Sequence, residues 1–213
     1  MAGISDSIRK ALQEFEAGEY EFSMMHACMA IDGTSKKMYP DIRKHAVRFI
    51  KMLRDNYKIL GTLAIQGINL DETKWPVELP GRQAKEGMPD IAEVIYTIHR
   101  CTHGHGDELP KGFELLRQAN LPNANCQTLI TRGKVQLSDS VIFALIAIAV
   151  VSPVNGSLRT IESGYLTFQG HRFGINDLWG RREYFIETID SICKFPSITL
   201  NMENMMEAMG GAS

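Results

Sequence analysis

Apolar residues recur at helical spacing over most of the chain, and the interruptions divide it into elements. Ile8, Leu12 and Phe15 follow Ser5-Asp6, a plausible N-cap, and Gly18 supplies a stop. A second helix is expected over 20–31, with Phe22, Met25, Cys28 and Met29 on one side and Asp32-Gly33-Thr34 as its end. Pro40-Asp41 then opens a third helix to about Leu60, with Ile42, Val47, Ile50, Leu53 and Tyr57 on its apolar face. Gly61, Gly67, Pro76, Pro80, Gly81, Gly87 and Pro89 break the next stretch, so 61–89 reads as a loop-rich insertion. One short strand is expected near 63–70, and Trp75 is expected to pin the insertion to the body.

Asp90 caps a fourth helix, buried along Ile91, Val94, Ile95 and Ile98 and reaching Cys101 or Thr102. On its other side Glu93, Thr97 and Arg100 lie at i, i+4, i+7, which points Arg100 to solvent or to a partner. Thr128-Leu-Ile-Thr131 and Lys134-Val-Gln-Leu137 flank Arg132-Gly133 as a β-hairpin, and 165–168 with 171–173 flank Gln169-Gly170 as another. Between them Ser138-Asp139 caps an unbroken apolar run over 141–151, too short to span a bilayer and read as a buried core helix. Asn176-Asp177 caps a last helix to about Cys193, with Leu178, Phe185, Ile186 and Ile189 inward. The expected fold is mainly α: an antiparallel helical bundle over 1–151, and a C-terminal extension over 152–213 with a β-hairpin and a helix, packed on the same domain.

Composition changes this picture little. The 213 residues carry 44% hydrophobic and 23% charged side chains, ordinary for a globular chain able to bury a core without staples. Cys28, Cys101, Cys126 and Cys193 form no CxxC pair, so reduced thiols are expected. Ser5, Asp6, Arg9 and Lys10 leave no apolar leader region at the N-terminus, and the expected place is the cytoplasm with no membrane association. A net charge of −2 excludes a global basic field. A local one is present: Lys36, Lys37, Arg43, Lys44, Arg48, Lys51, Arg54 and Lys58 face only Asp41 and Asp55. This run is either a solvated face or a surface for a phosphate backbone, with Arg43, Lys44, Arg48 and Lys51 as its RNA contacts.

The chemistry concentrates in 98–110, which holds three of the six histidines, an arginine and two carboxylates. His99 and His103, four apart, with His105 and Asp107 beyond, are one way to hold a zinc ion, and a metal-dependent hydrolase would use that cluster. That requires His99 to face away from the buried Ile95 and Ile98 side, and no HExxH is present. A metal-free alternative pairs Arg100 with His105. Attack of a 2′-hydroxyl on the adjacent phosphate needs a group that moves a proton near neutrality and a fixed cation for the phosphorane. Histidine and arginine supply those roles without a metal or cofactor. His103 is a substitute for His105 if the helix ends early, and Arg100 and His105 could equally cap the helix end beside Asp107 or Glu108.

The run His99-Arg-Cys-Thr-His-Gly-His-Gly106, after a helix and before Asp107-Glu-Leu-Pro110, resembles the R-x4-6-H signature of HEPN domains. The resemblance in arrangement covers roughly 5–151. It implies an α-helical bundle that cleaves RNA without metal, of the kind found in toxin–antitoxin and other defence systems, with an antitoxin as a possible partner. It implies a homodimer in which two Arg100/His105 pairs form one composite site, with Arg100 on the phosphate and His105 as general acid/base. Thr97, Glu93 and His103 are secondary candidates, as is Cys101, which stands where the family usually carries Asn, Asp or His. Some members are noncatalytic binding or dimerisation modules, so an RNA- or nucleotide-binding module is the alternative.

Overall fold

A computed structural model describes residues 3–80, 87–102, 108–117, 127–131, 133–161, 164–193 and 196–200. It is mainly α, with two small antiparallel hairpins. Helix α1 (Ile4–Glu16) starts at Gly3 rather than Ser5, and the Asp6 carboxylate accepts from the Gly3 N–H at 3.3 Å. Gly18 lies just beyond it with φ +83°, a left-handed stop that glycine adopts freely.

Helix α2 (Tyr20–Met38) is longer than its sequence suggests. Asp32-Gly33-Thr34 does not end it. Gly33 is there for close approach: a Cβ would lie 2.7 Å from Cγ1 of Ile4 on α1. With the Ser23 hydroxyl donating to the Ala11 carbonyl at 2.6 Å, this fixes α1 and α2 as an antiparallel pair. Thr34, the other apparent breaker, donates to the Ala30 carbonyl at 2.8 Å inside the helix.

The single third helix is two: α3 (His45–Arg54) and α4 (Tyr57–Ala64). The break at Asp55-Asn56 is held from outside. Asn56 donates to the Met52 carbonyl, and Arg182 donates to the Asn56 side chain at 3.0 Å and the Asp55 carbonyl at 3.1 Å. Gly61, Leu63 and Ala64 lie inside α4, so the expected strand at 63–70 is absent. Trp75 is fully buried, as expected.

Helix α5 (Ile91–Val94) opens on Asp90 with a reciprocal capping box to Glu93 and runs on as a π-helical segment, Ile95–Cys101. The first hairpin, β1 (Leu129–Thr131) and β2 (Lys134–Gln136), leads to α6 (Ser140–Val151). Helix α6 is buried on all sides but for partial exposure of Phe143, and packs against α1, α2 and α4 as the centre of the core. The second hairpin, β3 (Tyr165–Phe168) and β4 (His171–Gly174), turns at Gln169 (φ 47°) and Gly170 (φ 75°), the two positive angles of a type I′ turn. The expected last helix is also two pieces, α7 (Ile175–Leu178) and α8 (Arg182–Ile192), with Gly180 between them. Helix α7 packs on α6 and α8 on α4, so the C-terminal part joins the same core.

A buried polar knot ties α2 to the end of α6. Asn155 donates to Thr34 Oγ1 at 2.9 Å and to the Ala149 carbonyl at 2.8 Å, and accepts from Lys37 at 3.3 Å. Asn155→Ala strands these partners and should lower stability by about 1–3 kcal/mol, read as a shift in the urea midpoint with the slope unchanged.

Candidate functional site

The polar cluster around Arg100 is built by two elements, α2 and the π-helical turn that continues α5. The Asp90 cap is itself clamped: Arg54 on α3 donates from Nε at 2.7 Å and lies 2.6 Å away through Nη2. From there Ile91, Ala92, Val94, Ile95 and Ile98 enter the core. An i→i+5 turn carries one more residue than the α turn and rotates the later residues around the helix axis; such turns recur at functional sites. The expected outward stripe therefore does not form. Glu93 faces Arg54 on α3 at 3.5 Å, Thr97 is half-buried, and Arg100 turns back to α2.

On α2 the partner is Asp32, whose Oδ2 accepts from Arg100 Nε at 2.9 Å. Burial lowers the guanidinium pKa, but the Asp32 charge and hydrogen bond outweigh it, so Arg100 titrates above its ordinary value. The guanidinium also lies 5.8 Å from the Tyr96 ring centre, and Tyr96 packs on Phe49 at 5.4 Å. Burial, then the neighbouring Cys101 thiol with its hydrogen bond, pushes the Tyr96 phenol up. Burial, then Asp32, pushes the Cys28 thiol up from one turn earlier on α2. Tyr96 and Cys28 thus stay protonated beside the charged Arg100 guanidinium. Among the described residues Nε is the atom of Arg100 in hydrogen bond, so the two Nη groups remain a fork of the kind that binds a phosphate or carboxylate through two oxygens.

Asp32, Tyr96 and Cys28 were not marked by the sequence as site residues. The available signal was a carboxylate one turn past a cysteine, but it was masked by reading Asp32 as a helix end. His103, His105 and Asp107 lie outside the described residues. His99 is fully buried and does not face away from the core, which removes the exposed ligand that the metal reading required. Among the described residues no group of three or more His, Cys, Asp or Glu side chains could hold a metal.

The basic run is largely spoken for. Arg48, expected on RNA, is turned inward: it is 7% exposed and donates to the carbonyls of Ile42 at 2.9 Å and Arg43 at 3.3 Å. Lys51 pairs with Asp55 at 2.9 Å and Lys58 with Asp190 at 2.6 Å. Arg43 and Lys44 are exposed just before α3. His171 and Arg172 form an exposed strand pair, with Arg172 3.4 Å above the Tyr165 ring. A cavity of about 580 Å³ lies apart from this cluster, between α4, the loop at 67–71 and the end of α8, floored by Ile65 and Leu70 and rimmed by Asp71, Lys58 and Asp190. Cys28, Cys101 and Cys193 are free thiols, and no helix among the described residues is long and apolar enough to cross a membrane.

Comparison with known proteins gives a family without an assigned chemistry. The model of the Rv1289 family matches residues 3–206. The uncharacterized protein Rv1289 of Mycobacterium tuberculosis is 34% identical over 187 residues, covering 88% of each chain. The uncharacterized protein Mb1320 of Mycobacterium bovis matches to the same extent. No solved structure matches.

Proposed function

We propose a function for a chain that belongs to the Rv1289 family: metal-independent endoribonuclease cleavage of the HEPN type, by a cytoplasmic homodimer. The observation that supports it most is Arg100, held at the close of a helix by Asp32 and Tyr96, with its Nη groups in no hydrogen bond among the described residues, immediately before His103-Gly104-His105 in sequence. The fork takes the non-bridging oxygens of a phosphate and stabilises the charge that builds there. His105 takes the proton of the 2′-hydroxyl as its oxygen bonds to phosphorus. The bond to the 5′-oxygen breaks, that oxygen takes a proton from the protonated His105 of the second protomer in the composite site, and a 2′,3′-cyclic phosphate remains. Arg43 and Lys44 supply backbone contacts, and an antitoxin is the partner expected of a chain in a defence role.

The Arg100–Asp32 ion pair favours a second reading, a noncatalytic RNA- or nucleotide-binding or dimerisation module, because Asp32 offsets the charge offered to a phosphate. Incubating the full chain with RNA in EDTA separates the two. Cleavage is expected, lowered about 10²–10⁴-fold in His105→Ala, the usual worth of a general acid/base. Binding without turnover supports the module, and cleavage restored only by zinc or magnesium supports a metal-dependent hydrolase.

A further inference from the structure

The outer face of α2 is apolar where a solvent-facing helix should be polar. Phe22 is 56% exposed and Met29 39%, two turns apart on one stripe, with half-buried Met25 beside them. Helix α1 flanks this stripe on one side, where Lys10 and Glu14 act on His26. The 95–101 segment flanks it on the other, through Asp32 and Arg100. The ends of the stripe carry opposite charges: Glu21 in the first turn of α2 and Lys36 in the last.

Both charged residues are exposed, and they sit about 12 Å and about 10 Å to either side of Met29 at the rise of an α-helix. Opposite charges equidistant from an apolar centre are self-complementary under a two-fold rotation. Glu21 and Lys36 also suit the dipole of α2 itself, but that does not account for an uncovered phenylalanine and methionine between them.

We propose that this face binds a second copy of the chain, with the two α2 helices antiparallel and crossing at Met29. Met29 packs on its copy, Phe22 and Met25 are covered, and Glu21 of each protomer meets Lys36 of the other. Asp32 lies on the Met25 side of the stripe, so the crossing sets the two Arg100–Asp32 pairs along one side of the dimer, about two turns of helix apart. The inference rests on the ribonuclease reading only for joining those two sites, and the contact itself is argued from exposure and charge.

The test is the oligomeric state of the full chain by sedimentation equilibrium. The unaltered protein is expected to be a dimer and Met29→Glu a monomer with an unchanged far-UV spectrum. Glu21→Lys and Lys36→Glu should each weaken the dimer at least tenfold, because each puts like charges together twice. The double reversal should recover most of that loss, which keeps the test decisive even if Met29→Glu fails to fold. An unaltered chain that stays monomeric at its highest soluble concentration overturns the proposal, as does a double reversal no tighter than the single ones. Arg100→Ala should remain dimeric. A dimer that never cuts RNA sinks the catalytic reading alone, and a monomer that cuts RNA sinks this interface and the composite dimeric site while leaving the cleavage chemistry standing.

Discussion

Arg100→Ala should lower RNA cleavage in EDTA by about two to three orders of magnitude, the loss expected when one preorganised charge-stabilising donor is removed. The size reflects how the side chain is held. Nε is engaged by Asp32 at 2.9 Å and the guanidinium lies over Tyr96, so the fork is placed before substrate arrives. Arg100→Lys should recover little, since an ammonium cannot bond Asp32 and still present two parallel donors to a phosphate. Asp32→Asn should reduce the rate less than Arg100→Ala, because it loosens the fork without removing it. Gel assays of end-labelled RNA with the three variants measure this order, and an Arg100→Lys enzyme at full rate would show that the fork has no role.

Gly180→Val should be the most damaging single substitution outside the central helix. Gly180 has φ +75°, a region that a β-branched residue enters only under strain. A Cβ there would lie 2.6 Å from Cα and 3.1 Å from N of Gly156, backbone atoms that cannot swing aside. The turn is also anchored, with the Gly180 N–H donating to the Val150 carbonyl at the end of α6 and Trp179 buried next to it. Strain and overpacking together should cost about 3 kcal/mol or more, a fall in Tm of about 6–12 °C for a chain of this size. Gly170→Ala is the control. Its φ is also +75°, but nothing lies within 4 Å of the added Cβ, so only the strain of about 1 kcal/mol applies.

The elements that were legible in the sequence have their structure written locally. Helix α6 is apolar throughout and lies at the centre of the core, and both hairpins carry glycine in their turns. The misread elements depend on distant partners. Gly33 resembles a helix stop, yet it serves the approach of Ile4; Asp55-Asn56 breaks a helix because Arg182 holds it open. The direction of Arg100 differs from the expected one. An α-helical period sends Arg100 outward, whereas the π-helical turn, which no spacing of apolar residues announces, brings it to Asp32. Arg48 shows the same limit, since a basic residue in a basic run gives no sign that it will staple its own loop.

The most direct test of the central claim is the chemistry of the cut end. Full-length protein incubated with a defined RNA in EDTA should leave a 2′,3′-cyclic phosphate by mass spectrometry, and Arg100→Ala should leave the RNA essentially intact. Products ending in a 3′-hydroxyl, cleavage that appears only when a divalent metal is added, or equal cleavage by Arg100→Ala would contradict it.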